Sequence, residues 1–223
     1  MTEPLVGLED VVIATSTICF IDGEKGILRY RGYDVAELAE KSNYEEVAYL
    51  LLYGQLPTPA QHRDFQAELH KNRAVPADLL KILKGIPTST DPMAWLRTAV
   101  SALAAFDPEA EDNSQPANIR KTIRLTAQMA TLAAAIERLR QKKEPVAPDA
   151  SLDHSANFLY MVSGRKPDDL SRRAMDIALI LQADHELNAS TFAGRVTVST
   201  LSDIYSGVTS AVGTLKGPLH GGA

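Results

Sequence analysis

Histidine is the side chain most easily poised to move protons near neutral pH, and this 223-residue sequence has five. His220 sits in Gly217-Pro218-Leu219-His220-Gly221-Gly222. There the proline fixes one backbone angle, and the glycines let the chain turn tightly and approach a ligand. A loop of that kind can aim an imidazole. The same residues also suit a plain polar loop past a helix end, since Gly and Pro stop helices. His185 closes an apolar helix over 174–183, and Asn188, Ser190 and Thr191 follow it, so polar groups converge at one helix junction. A ligand-binding histidine and a satisfied buried one both fit that junction. Asp184 and Glu186 flank His185, but adjacent residues on a helix point in different directions. Their expected roles are to orient or solvate rather than to form an acid/base pair.

The other histidines point to structure. His62 and His70 lie in PAQHRDFQAELHKNR, about two helical turns apart with charged neighbours, which predicts solvated surface positions. His154 follows Ser151 and Asp153 at a helix start, where a polar side chain can cap free backbone groups. Cys19 is the single cysteine; its neighbours Ile18 and Phe20 predict a packed thiol, with no intrachain disulfide and no cysteine cluster for zinc. The sequence has no P-loop, Gly-x-Ser-x-Gly elbow or His-Glu-x-x-His, and no glycine fingerprint after a strand. The basic run 138–143 reads as a solvated helix end.

The elements that must position these residues are nearly all helical. Residues 16–31 alternate in polarity around Asp22-Gly23-Glu24-Lys25-Gly26, which predicts a short N-terminal β-hairpin. From Asp34 onward apolar residues recur three and four apart, first at Val35, Leu38 and Ala39, then at Val47, Leu50 and Leu51, with Gly54 and Pro57 ending the second helix. Further helices are expected over 59–72, 76–84, 91–106, 117–141, 151–163, 167–184, 188–199 and 203–215. The fold class is therefore all-α. Ile119, Ile123, Ala127, Ala130, Ala134 and Leu139 mark a face of 117–141 open to close helix approach. Unless covered, that face leaves a long apolar stripe in water, which predicts a subunit interface. Residues 107–118, rich in Pro, Asp, Glu and Asn, read as a flexible connector.

Composition narrows the function. With 45% hydrophobic and 23% charged residues the chain is of ordinary globular make-up. A net charge of −5, spread along the chain, argues against nucleic acid as a partner. No apolar run approaches the ~20 residues of a bilayer span, so no membrane association is expected. MTEPLVGLED lacks signal-peptide features, and a cytoplasmic location is expected.

Several segments together carry a family resemblance. Ile21-Asp22-Gly23-Glu24-Lys25-Gly26-Ile27-Leu28-Arg29-Tyr30-Arg31-Gly32 resembles the opening segment of bacterial and archaeal-type citrate synthases. Close parallels follow at 49–57, at 157–161, at Asp184-His185-Glu186-Leu187-Asn188-Ala189-Ser190-Thr191-Phe192, and at Gly217-Pro218-Leu219-His220-Gly221-Gly222-Ala223. The resemblance implies that residues 1–223 are the incomplete large helical domain of an acyltransferase of the tricarboxylic acid cycle. Such an enzyme condenses acetyl-CoA with oxaloacetate and water to give citrate and CoA. It further implies that His185 contacts oxaloacetate, and that His220 hydrogen-bonds the thioester carbonyl of acetyl-CoA as it becomes an enol. Acetyl-CoA is then a substrate; no cofactor and no metal are implied.

In the family a second catalytic histidine, an aspartate base, most substrate arginines and the CoA-binding region come from sequence farther along. The expectation is that this piece is inactive by itself, because catalytic groups act as a unit. The family also implies a homodimer or higher homo-oligomer, built on 91–106, 117–141 and the region near 188–199. Two rivals stand beside this reading: a 2-methylcitrate synthase using propionyl-CoA, and a noncatalytic helical assembly module.

Overall fold

A computed structural model describes residues 14–220; the first thirteen residues and Gly221-Gly222-Ala223 lie outside the described part. The described part opens with β1 (Cys19–Asp22), β2 (Ile27–Tyr30) and β3 (Tyr33–Asp34) in one antiparallel sheet of order β1-β2-β3. The expected hairpin thus has a third strand. Arg31 and Gly32, both at positive φ (49° and 91°), form a two-residue turn between the paired Tyr30 and Tyr33. Positive φ at both central positions gives a turn whose twist suits a tight hairpin.

The helices follow as α1 (Val35–Lys41), α2 (Tyr44–Tyr53), α3 (Pro59–Lys71), α4 (Ala77–Lys84) and α5 (Pro92–Leu103). A 3₁₀ turn at Ala104–Phe106 leads on to α6 (Gln115–Arg140), α7 (His154–Ser163), α8 (Asp169–Leu181), α9 (Ala189–Ser199) and α10 (Ile204–Leu215). Among the described residues this is the expected all-α fold carrying a small sheet. Local chemistry sets the starts. Every helix but α4 begins on an Asp, Asn, Ser or Thr whose side chain accepts a first-turn N–H. Asn43 with Glu46 and Thr58 with Gln61 complete reciprocal capping boxes. Each such cap stabilises its helix by about 1 kcal/mol.

Packing centres on α6, which touches α3, α5, α7 and α10. The largest apolar cluster joins Leu79 and Leu83 of α4, Trp95, Val100 and Leu103 of α5, Leu125, Leu132 and Ile136 of α6, and Tyr205 of α10. A second cluster packs Cys19 and Tyr30 of the sheet on Leu38, Val47, Leu50 and Ile180. Cys19 is buried, as expected, and burial first, then Asp184, pushes its thiol up to about 12. Two expectations are corrected by α6. Ile123, Ala127 and Ala134 are buried inside this one chain and Ile119, Ala130 and Leu139 are half-buried, so no long apolar stripe is left in water. The segment 107–118 is a fixed clasp rather than a flexible connector. The fully buried Lys121 donates to Ala110 O at 3.0 Å and Asp112 O at 2.7 Å, and the Asp107 carboxylate receives Tyr205 Oη and Arg124. A buried ammonium needs such acceptors to offset its lost hydration.

The pair α9 and α10 is set by close backbone approach. A Cβ on Gly194 would lie 3.2 Å from Gly207 O, and one on Gly207 would lie 2.6 Å from Val198 Cγ1. By contrast a Cβ on Gly213 would meet only the flexible Arg97 Cδ, at 3.3 Å. Alanine gains up to about 1 kcal/mol over glycine inside a helix, whereas forced overpacking costs about 1–3 kcal/mol. Gly207→Ala is therefore expected to lower unfolding free energy by about 1–2 kcal/mol, while Gly213→Ala leaves it unchanged or raises it. Urea denaturation of both variants reads the difference in sign, and equal effects would refute the close-approach argument.

Candidate functional site

The two histidines singled out for chemistry flank the α9–α10 pair in the chain, His185 before α9 and His220 after α10. Gly217 N–H donates to Thr214 O at 3.0 Å, and a 3₁₀ turn over Pro218–His220 closes with His220 N–H on Gly217 O at 2.9 Å. The half-buried ring is thereby turned back onto the start of α9. There the Ser190 N–H donates to His220 Nε2 at 3.2 Å, and Ser190 Oγ stands 2.9 Å from the same nitrogen. Asn188 caps α9, accepting from Thr191 N–H at 2.9 Å, and its Oδ1 stands 2.8 Å from Ser190 Oγ, whose single proton turns either to it or to His220 Nε2. A backbone N–H can only donate, so in the neutral ring Nε2 is the acceptor and Nδ1 carries the proton. With the Ser190 hydroxyl proton turned to Nε2 as well, His220 is assigned as an Nδ1–H donor. Sequence reading named Ser190 only as a polar neighbour of His185; its pairing with His220 depends on the helix return, which spans 30 residues.

His185 is exposed, in the linker between α8 and α9. The helix expected to reach it stops earlier, at Leu181, because the sheet takes over the next residues. Tyr30 Oη donates to Ile180 O at 3.0 Å and lies 3.4 Å from Asp184 N. Glu186 Oε1 accepts the Ile21 N–H at 3.1 Å, and Asp184 Oδ1 accepts Glu186 N–H at 3.0 Å. The two flanking carboxylates therefore orient the linker, as expected of them, with Glu186 held at φ 58°. Among the described residues no hydrogen bond joins His185 to His220. Cavities of about 310 Å³ beside Leu201 and about 280 Å³ beside Tyr44 are lined by neither histidine.

The remaining histidines depart from expectation. His62 and His70 are not fully solvated: their side chains are 19% and 26% exposed and face the buried Glu45 at 3.9 and 3.8 Å. His154 does not cap α7, since Asp153 does; its ring is buried and its backbone N–H donates to Glu45 Oε1 at 3.0 Å. Their spacing carried a signal that was missed: His62, Gln66 and His70 recur every four residues, a polar stripe on one side of α3. Among the described residues no three His, Cys, Asp or Glu side chains are placed to hold a metal ion.

The family model described as "Citrate synthase, C-terminal domain" matches residues 7–223. The chain belongs to the citrate synthase family. It is 48% identical to the citrate synthase of Deinococcus radiodurans over 223 residues, covering 100% of this chain and 59% of that protein. It is 42% identical to the citrate/2-methylcitrate synthase of Bacillus subtilis, covering 97% of this chain and 58% of that one. A citrate synthase from Thermoplasma acidophilum, solved as a ternary complex with carboxymethyl coenzyme A and oxaloacetate, superposes with a TM-score of 0.91 at 37% identity. That comparison covers 96% of this chain and 56% of the other. The chain thus spans somewhat more than half the length of the family members it matches.

The tautomer assignment is directly testable. Long-range ¹H–¹⁵N correlation above the histidine titration range is expected to show His220 Nε2 unprotonated and Nδ1 protonated. Ser190→Ala, which keeps the N–H, preserves that pattern. Ser190→Pro removes both N–H and hydroxyl at a first-turn position that tolerates proline, and shifts the ring toward the Nε2–H form. A protonated Nε2 in the unsubstituted chain would overturn the assignment.

Proposed function

We propose that this chain supplies the oxaloacetate-contacting histidine, His185, and the enol-stabilising histidine, His220, of a citrate synthase. The observation that carries the proposal is the Ser190–His220 pairing, by which His220 is assigned as an Nδ1–H donor. The chemistry calls for such a donor. The methyl protons of acetyl-CoA are very weakly acidic, so the thioester oxygen that gains charge as a proton leaves must already face a hydrogen-bond donor. His220 fills that role with little reorganisation, because the α9–α10 packing and the 3₁₀ turn hold its ring. His185, on a linker tied to the sheet by Tyr30 and Glu186, is offered to a small anionic substrate from the same side of α9's start. The enol then attacks the oxaloacetate carbonyl, and hydrolysis releases citrate and CoA. Acetyl-CoA enters as a substrate, with no separate cofactor, and the residues described form the greater part of the large helical domain of a cytoplasmic enzyme. The likeness to the Bacillus citrate/2-methylcitrate synthase supports a second reading in which propionyl-CoA is also accepted. One methylene is worth only about 1–3 kcal/mol of discrimination.

The assembly is proposed to be a homodimer or a higher homo-oligomer. In place of the α6 stripe, its support is α9, which has no fully buried residue and leaves Val196, Val198 and the adjoining Leu201 at 50%, 38% and 81% exposure.

The 223-residue chain alone is expected to release no CoA thiol from acetyl-CoA and oxaloacetate. Fused to the remaining part of the Deinococcus relative, it is expected to do so, and His220→Ala in the fusion should lower kcat by roughly 10²–10³. His185→Ala should chiefly weaken oxaloacetate binding. Full kcat in the His220→Ala fusion would end the proposal, and an inactive fusion that still assembles would favour the noncatalytic module. Faster turnover of propionyl-CoA would favour the second reading. In sedimentation at micromolar concentration the fusion should run as a dimer or larger, and a monomer would refute the assembly.

A further inference from the structure

Among the described residues outside the His185 and His220 region, a gathering of titratable groups surrounds Glu45. This residue sits in the first turn of α2, only 2% exposed, and its carboxylate draws on two other parts of the chain. One oxygen accepts the backbone N–H of His154 at 3.0 Å, at the first position of α7; the other accepts the Gln66 amide from α3. His62 Nε2 and His70 Nε2, on either side of Gln66, stop 3.9 and 3.8 Å away, and both are buried atoms without a hydrogen-bond partner. Arg73, 1% exposed, places Nη2 at 3.8 Å and donates through Nη1 to Asp149 O and Leu152 O at 3.1 and 2.7 Å. It thereby holds the segment that leads into α7. The His154 ring, 5% exposed, lies against Tyr44 of α2 with ring centroids 4.9 Å apart.

The charges around this junction balance while the histidines are neutral. From α8, Arg172 pairs with Asp153 at 2.6 Å, and Arg173 pairs with Asp176 at 3.0 Å. Asp176 also accepts Tyr44 N–H at 3.1 Å and Ser155 Oγ–H at 2.8 Å. Asp149 pairs with Lys166 at 3.0 Å. Towards this region α6 presents the uncharged Gln128 and Thr131, which hold Ala74 O and Arg73 O; its Arg138 serves Val162 O at the other end of α7. Each of those aspartates thus has its own cation, and Glu45 has Arg73. A proton on His70 adds a second cation beside Arg73 facing one carboxylate, and a proton on the buried His154 ring adds a cation near Arg73 and His70 where Asp153 is already paired with Arg172; in a site with little water such unpaired charge is costly. For His154 the cost is raised again by the positive end of α7.

We propose that the Glu45 junction is a proton-operated latch: it clamps the start of α7 to α2 and α3 while His70 and His154 are neutral, and it opens locally on acidification before the core around α6 unfolds. The direction of titration agrees. Burial first, then Arg73, holds His70 below the usual histidine range, and the same two causes push His154 down to about 4. Once exposed, a histidine binds its proton near 6.5, so the open form takes up protons more readily than the closed one. The stabilisation is fully present above about 6.5 and is lost as pH falls towards 4. Each proton so coupled raises the opening constant tenfold per pH unit across that window.

Hydrogen exchange on the 223-residue chain tests this. After correction for intrinsic rates, protection of the His154 amide is expected to fall about tenfold per pH unit between about 6 and 4.5, while Val100 and Leu132 in the core stay level. His154→Phe keeps an aromatic ring against Tyr44 and removes one proton site; His70→Gln removes another. Together they should flatten the pH slope at residues 154–157. The latch is refuted if the His154 amide loses protection in step with Leu132, because opening is then global. It is equally refuted if the double variant keeps the full slope, because the proton then goes to Glu45. Should the double variant not fold, the His154 C2–H shift in the unsubstituted chain decides: titration near 6.5 with protection intact overturns the proposal.

Discussion

Burial of α6 on several sides is the constraint to which the rest of the chain answers. At 26 residues it runs about 39 Å, and α3, α5, α7 and α10 all pack on it. A helix in that position cannot be purely apolar without becoming ambiguous in rotation, and α6 is not. Lys121, Gln128 and Thr131 point inward, and each donates to a backbone carbonyl. These polar contacts fix what hydrophobic burial alone leaves free. Lys121 sets the clasp at 110–112, and Gln128 and Thr131 set the turn between α3 and α4 at residues 73 and 74. The apolar clusters supply most of the driving force through area removed from water; the polar contacts select one arrangement from those that bury similar area.

The placement of the two site histidines follows from that frame at one remove. Tyr205, at the start of α10, is buried among α5 and α6 residues, with its hydroxyl on Asp107. With its start held there, α10 runs back along α9, and the Gly194–Gly207 approach sets their separation. Only then does the turn after α10 meet the first turn of α9, so that His220 reaches Ser190. His185 is held from the opposite side, by a sheet whose Tyr30 and Ile21 grip the linker after α8. Residues from both ends of the chain therefore position a site in which neither histidine rests on its own local sequence.

That division explains what could be read in advance. Helices were legible where periodicity and caps agree: 117–141 corresponds to Gln115–Arg140, and 203–215 to Ile204–Leu215. The interest of His185 and His220 was legible from residue type, and their proposed roles from family likeness. The tautomer of His220 was not, because it depends on a nitrogen 30 residues away. The two-residue β3 was also missed, since its pairing rests on backbone angles at Arg31 and Gly32 rather than on alternating polarity. Residues 107–118 looked mobile because Pro, Asp and Asn favour turns. Those turns are fixed by Lys121, Arg120 and Arg124 of α6, partners no local pattern reveals.

The adjacent pair Glu45 and Glu46 shows the same limit at its sharpest. Both lie in the first turn of α2, where carboxylates are favoured by the helix dipole. Glu46 turns back to close the capping box on Asn43, a local bond that its spacing forecasts. Glu45, about 100° around the helix, goes instead into the interior and organises α3 and α7. The rings of His62 and His70 face this one side chain, and it accepts the backbone N–H of a third histidine, His154. Two of them, taken by themselves, looked like surface residues; their shared identity comes from a carboxylate that sequence alone ranks no differently from its neighbour. The functional reading of a histidine thus depends less on its own segment than on which charge the tertiary fold brings within about 4 Å of its ring.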